Sequence, residues 1–171
     1  MGTRNLTIVR SKRKDKVIQY GQWDGYPEGQ GRTIADFLKE VDLPKFKKQV
    51  DALKVYTKQA IKKAYMDAGH DGGQWIEMSV SNRANKAHPA LCRDHGAGIM
   101  ELIYNGTVKK VQLFSEWDGK EVGEGSWIEY YYIVDLDKKT VQMNGGKKYT
   151  FEQWCSKNFV KKLAKQEEDE E

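Results

Sequence analysis

Residues 127–134 read WIEYYYIV. Apolar and aromatic residues occupy both parities of this run, so it lacks the in-and-out alternation of a strand with one wet face. It predicts a central strand covered on both sides, over Trp127 to Asp135. Downstream, Asp137-Lys138-Lys139 and Asn144-Gly145-Gly146 are turn sequences that separate short strands at Thr140–Met143 and Lys147–Thr150. Close spacing of that kind predicts an antiparallel meander. Upstream, Val108 to Glu116 reads as a further strand.

At the other end of the chain, Thr3 to Arg10 and Val17 to Trp23 are strand-forming runs joined by the charged SKRKD turn, which predicts a hairpin. DGYPEGQGR follows and is loop by composition. Thr33 and Asp36 resemble a capping box that opens a helix bearing Ile34, Phe37, Leu38 and Val41 on one face. From Pro44 to Ala68 the spacing of Phe46, Val50, Leu53, Thr57, Ile61 and Ala64 predicts one long amphipathic helix, ended by Gly69. Gln74–Val80 reads as a strand and Ser81–Ala87 as a polar loop. A helix starting at Pro89 or Asp94 runs to Tyr104 and stops at Asn105-Gly106. Thr150 and Gln153 form a capping box for a last helix carrying Phe151, Trp154, Cys155, Phe159 and Leu163. The order of elements predicts an α+β fold, a mainly antiparallel sheet with about four helices packed on it. One domain over residues 1–165 is expected, with a disordered acidic tail at 166–171.

One motif occurs twice. Residues 16–31 read KVIQYGQWDGYPEGQG and residues 110–125 read KVQLFSEWDGKEVGEG, with Trp-Asp-Gly displaced by 117 − 23 = 94 positions. Asp-Gly suits a tight turn, and the Trp N–H needs a partner at the edge of a core. That structural role accounts for every shared residue. The functional alternative places two similar loops at the ends of neighbouring strands, with Asp24 facing Asp118 across a cleft. The first copy is chemically richer, since Tyr20, Gln22, Tyr26 and Gln30 add hydrogen-bonding groups and flat rings.

Lys and Arg number 29 and Asp and Glu 25, a net charge of +4; residues 167–171 contribute −5, so the rest of the chain carries +9. A basic body points to nucleic acid, an anionic small molecule or an acidic protein surface as partner. Lys47, Lys54, Lys58 and Lys62 fall on one stripe of the long helix and form the candidate phosphate-tracking face, although no set of base-reading side chains accompanies them. The alternative is a solvated helix face. Cys92 and Cys155 lack metal-ligand spacing and read as reduced thiols, and His70, His88 and His95 lack zinc spacing, so no metal or cofactor is expected. With no apolar signal core or membrane span in the sequence, a cytoplasmic protein is expected.

A second constellation is Arg93-Asp94-His95-Gly96-Ala97-Gly98. Here Asp94 is a candidate helix cap, Arg93 with exposed N–H groups suits an anion, and His95 joins them as a candidate binding residue. The small residues equally suit a helix lying close to the sheet. The candidate binding set is therefore Arg4, Tyr20, Gln22, Trp23, Asp24, Tyr26, Gln30, Arg93, Asp94 and His95.

MGTRNLT at the start, QYGQWDGYPEGQG, RDHGAGIMELI and YYYIVDLDKKT together resemble a family of uncharacterised phage and bacterial proteins, with more distant look-alikes in fungi. The resemblance covers most of the chain and implies a phage or bacterial origin, with the N-terminal motif as signature and no transferable activity. Separately, the Thr-Arg start on a strand is similar to that of N-terminal-nucleophile hydrolases. That similarity implies Thr3 as nucleophile, near Asp24, after removal of both Met1 and Gly2. The leading expectation is a binding protein that holds an anionic ligand or inhibits a host factor, with the Thr3 hydrolase as the alternative.

Overall fold

The Lys12-Arg13 step folds the first two strands onto each other: both residues take positive φ, 52° and 60°, as a two-residue hairpin of right-twisted strands requires. The structure is a computed structural model that describes residues 2–170, apart from the side chains of residues 168 and 170. In chain order it contains β1 (Asn5–Ser11), β2 (Lys14–Gly21), a π-helical turn (Pro27–Gly31), α1 (Arg32–Glu40), α2 (Leu43–Asp51), β3 (Lys54–Val55), α3 (Lys58–Asp67) and α4 (Met78–Ala87). After two short 3-10 turns come α5 (Ile99–Tyr104), β4 (Lys110–Val111), β5 (Tyr130–Asp135), β6 (Thr140–Met143), β7 (Lys148–Thr150), α6 (Phe151–Trp154) and α7 (Phe159–Glu170).

The fold is α+β. Its main sheet runs β2-β1-β5-β6-β7, so β5 is the central strand, as its two-sided apolar sequence predicts. Three of the four pairings are antiparallel, and β1 pairs with β5 in parallel, from Asn5↔Tyr130 to Arg10↔Asp135. Val9, Val17, Tyr132, Val134 and Val141 point to a helical layer containing Ile34, Phe37, Phe46, Ile99, Met100 and Trp154. Leu6, Ile8, Ile18 and Ile133 point the other way, where no helix among the described residues packs on them. There Trp117, Leu113, Phe114, Val122 and Ile128 cover them, so an irregular segment takes the place of a second helical layer.

Several expectations are corrected. Seven α-helical segments occupy the described residues instead of about four. The helix expected from Pro44 to Ala68 is two helices, because Lys54 and Tyr56 donate main-chain hydrogen bonds to Lys109 and Val111 and draw residues 54–56 into a two-stranded ribbon. Thr57 then caps α3, accepting from the Ala60 N–H at 3.0 Å. Residues 78–87, expected as strand and polar loop, are helical, and the strand expected over Val108 to Glu116 shrinks to Lys110–Val111. The glycine-rich PEGQG segment is the π-helical turn, continuous with α1; Thr33 is inside α1 and bonds Gly29 O instead of capping. Asn158, at φ 62°, divides the expected last helix into α6 and α7. Residues 166–170 continue α7, with Tyr130 Oη donating to Glu167 at 3.0 Å, and residue 171 lies outside the described residues. No helix among the described residues is long and apolar enough to cross a membrane.

The hairpin turn is tied to the meander through Asp137, whose carboxylate accepts from Lys47 Nζ at 2.8 Å and from the Arg13 N–H at 3.0 Å. These donors, Lys47 first, pull its pKa from the ordinary 3.8 to about 2. With the folded value below the unfolded one, the resulting stabilisation is fully present above about pH 4 and is lost as pH falls through about 2. Lys47→Met should move the Asp137 midpoint, followed by carboxyl NMR, back toward 3.8. A midpoint left unchanged would assign the shift to the main-chain donors alone.

Candidate functional site

The first Trp-Asp-Gly sequence forms a turn held from several directions. Asp24 adopts φ 55°, which lets the chain reverse immediately after β2. The Gly25 N–H donates to Thr3 O at 3.0 Å, and the Gln22 N–H donates to Arg93 O at 2.8 Å. Fully buried Asn5 donates its Nδ2 to Trp23 O at 2.9 Å. Gln30 donates Nε2 to the same carbonyl at 3.1 Å, and its Oε1 accepts from the Ala97 N–H at 2.7 Å. From the central strand, buried Tyr132 donates its hydroxyl to Gly25 O at 2.7 Å. The glycines permit this crowding: a Cβ on Gly29 would lie 2.1 Å from Asp24 O, and one on Gly21 would lie 2.5 Å from Asn5 Oδ1. Thr3 and Asn5, Gln30, Arg93 and Ala97, and Tyr132, separate in sequence, meet at this turn.

What remains exposed is aromatic and acidic. Trp23 is 52% and Tyr26 43% exposed, yet the polar atoms of both rings are tethered. Trp23 Nε1 donates to Asp94 Oδ1 at 3.2 Å, and Tyr26 Oη donates to Asp24 Oδ1 at 3.1 Å, a bond that raises the phenol's pKa. Glu28 stands nearby in sequence and pairs with Arg32 at 3.5 Å. The rings therefore present their faces in one orientation, with carboxylates beside them.

The other expected site residues are more dispersed. Tyr20 donates its hydroxyl to Gln22 Oε1 at 2.7 Å and stacks on Phe114, 5.5 Å between ring centres. Gln30 is buried, both ends of its amide bonded, so it builds the turn and is not free to meet a ligand. Asp94 accepts from Trp23 and caps no helix, since α5 begins at Ile99. The Arg93 side chain is exposed; His95 is half-buried, and its ring forms no hydrogen bond with a described residue. Arg4 lies over exposed Trp127, 5.3 Å from the ring centre, and belongs to the β5 side of the sheet. Thr3 contributes its carbonyl to the turn while its hydroxyl bonds no described residue, and Gly2, whose removal the hydrolase alternative needs, lies against the Trp23 ring. Asn5 and Tyr132 were not among the expected residues. A lone Asn in a strand otherwise rich in β-formers was the signal for the first, and no local signal marks the Tyr132 hydroxyl.

The second Trp-Asp-Gly sequence does not face the first. Trp117 Nε1 donates to Asp15 at 2.8 Å near the start of β2, whereas Trp23 follows its end, about 20 Å of extended chain away. Asp118 forms a tight turn of its own, accepting from the Glu121 and Lys120 N–H groups, which, Glu121 first, lower its pKa. Trp117 is buried, and its ring lies 5.1 Å from that of Tyr131. The lysine stripe is also dispersed: Lys47 is on α2 and bonded to Asp137, Lys54 is on β3, and Lys58 and Lys62 are on α3. Comparison of the chain with protein-family models, with curated proteins and with solved structures gave no match.

Proposed function

We propose that this chain is a binding protein whose recognition surface is the turn bearing Trp23, Asp24 and Tyr26. The supporting observation is the pair of exposed rings whose polar atoms are already occupied within the protein. Such rings lose little conformational freedom on contact and are the side chains that anchor protein interfaces. Asp24 and Asp94 place two carboxylates against the polar atoms of the two rings, Glu28 being paired with Arg32. That local charge favours a Lys or Arg side chain of a protein partner over the anionic ligand expected from the net charge of the body, through carboxylate pairing and contact with the ring faces. In the phage or bacterial setting that the resemblance implies, a host protein is the natural candidate.

The test is co-purification from bacterial cells of proteins held by wild type and by Trp23→Ala and Asp24→Asn. A partner retained by wild type and lost by both variants, at unchanged far-UV dichroism, is the expected result. Equal recovery from all three, or no retained protein with wild type, would sink the proposal. Intact mass of the mature chain separates it from the Thr3 alternative, which requires the absence of Gly2.

A further inference from the structure

Because β1 and β5 run parallel, the turns that follow them lie at the same end of the main sheet, Lys12-Arg13 after β1 and residues 136–139 after β5. Together with the second Trp-Asp-Gly turn they border an open cleft of about 830 Å³. Its lining is almost wholly ionic, with five cationic side chains against the carboxylates of Asp15, Asp135 and Asp137.

The carboxylates are engaged within the protein. Asp15 accepts from Arg10 Nε at 2.7 Å and from Trp117 Nε1 at 2.8 Å, and Arg10 also donates to Gly119 O at 3.1 Å. Buried Asp135 accepts from the Lys138 N–H at 3.0 Å. Asp137, already bonded to Lys47, accepts from the Arg13 N–H at 3.0 Å, and Asp118, beside the cleft, accepts from the Lys120 N–H at 2.8 Å. Each of the last three bonds fixes the main chain of a cation and leaves its side chain free. Arg13, Lys120 and Lys138 are exposed, and their head groups form no ion pair or hydrogen bond with a described residue. Lys12 is also exposed and reaches Asp51 only at 3.6 Å. Glu121, next to Lys120, does not line the cleft.

The acidic surfaces described above lie at the opposite end of the sheet. Tyr130, where Glu167 of the acidic C-terminal segment is bonded, opens the six-residue β5 and is about 17 Å of extended chain from Asp135. Trp23, with Asp24 and Asp94, follows the far end of β2. Unpaired cations collected in one cleft repel one another, and a polyanion relieves that repulsion. Among the described residues the cleft is lined by no aromatic ring on which an unpaired base could stack, and by no Asn or Gln to read a base edge. We propose that it binds the phosphate backbone of duplex nucleic acid, with Arg13, Lys120 and Lys138 as the phosphate contacts. This site does not include the lysines of α3, and it survives failure of the Trp23 surface.

Fluorescence anisotropy of the full chain with a labelled DNA duplex, an RNA duplex of the same sequence and the DNA single strand tests it. Both duplexes should bind, with affinity falling on added salt at a log–log slope of about −3 for three phosphate contacts. The combined variant Arg13→Gln, Lys120→Gln, Lys138→Gln should bind at least about tenfold more weakly at low salt and flatten that slope by about 2 to 3. Its charge-preserving counterpart, Arg13→Lys, Lys120→Arg, Lys138→Arg, should keep the slope, and Lys58→Gln with Lys62→Gln on α3 should bind as wild type does. Absence of duplex binding at low salt, an affinity independent of salt, or an equal loss in the α3 variant would each overturn the assignment. So would tighter binding of the single strand, or displacement of the duplex by poly-glutamate at equal charge concentration, which would mark an acidic protein surface as the occupant.

Discussion

Trp117→Ala is expected to lower the unfolding free energy by about 3–5 kcal/mol, whereas Trp23→Ala lowers it by less than about 1 kcal/mol. The two tryptophans stand at equivalent places in the repeated motif but in opposite environments. Trp117 is 8% exposed and lies in the cluster that covers Leu6, Ile8, Ile18 and Ile133, on the face of the sheet where no described helix packs. Truncating it opens a cavity that this irregular cover, short of regular secondary structure, has to fill by rearranging. It also removes the indole donor to Asp15, which keeps its ion pair with Arg10 at 2.7 Å. Trp23 is 52% exposed and leaves mainly solvent-facing contacts behind. Urea denaturation of both variants with a common m-value is the measurement. Equal losses would contradict the different roles assigned to the two copies.

The glycines of the motif should separate in the same way. Gly29→Ala places a methyl group 2.1 Å from Asp24 O and 2.8 Å from Asp24 Cβ, against a turn held by Asn5, Gln30 and Tyr132. Neither side can yield without breaking buried hydrogen bonds, so a loss of at least about 3 kcal/mol is expected. Gly123 is its counterpart in the second copy. The nearest atom to a Cβ there is Glu116 O at 3.9 Å, and its φ is not in the left-handed region. Gly123→Ala should therefore stay within about 0.5 kcal/mol of wild type. Thermal melts of the pair decide the matter: a tolerated Gly29→Ala would show that the turn is loosely held and cannot present Trp23 and Tyr26 rigidly.

Much of the sheet is legible in the sequence. The WIEYYYIV run, the Asn-Gly-Gly turn and the Thr150/Gln153 capping box act locally, through burial on both faces, permissive φ and reciprocal side-chain bonds; the turn and the box occupy their expected places, while the strand expected from Trp127 begins only at Tyr130 and leaves Trp127 exposed. The helical region is legible only in part. Nothing local ends α2 at Asp51; the main chain of residues 109–111, more than fifty positions away, does so by competing for the hydrogen bonds of Lys54 and Tyr56. Similarly, PEGQG reads as loop because glycine and proline disfavour helix, yet Pro27 occupies an allowed first-turn position and Gly29 fits beneath Asp24. Within the candidate site, Trp23, Asp24 and Tyr26 are marked by the sequence as unusual, while Gln30 is marked for the wrong reason, its amide being consumed inside the turn.

The sequence by itself determined the α+β class, the opening hairpin, the central strand and the meander, because periodicity, turn chemistry and capping are properties of a few adjacent residues. Only the tertiary structure decided that the two Trp-Asp-Gly copies do different work. Identical residues become a close-packed, exposed turn when Asn5, Gln30, Ala97 and Tyr132 supply the surrounding hydrogen bonds, and a buried cover when they lie across Leu6, Ile8 and Ile133. Exposure and the supply of hydrogen-bond partners depend on distant segments of the chain, and no local pattern encodes them.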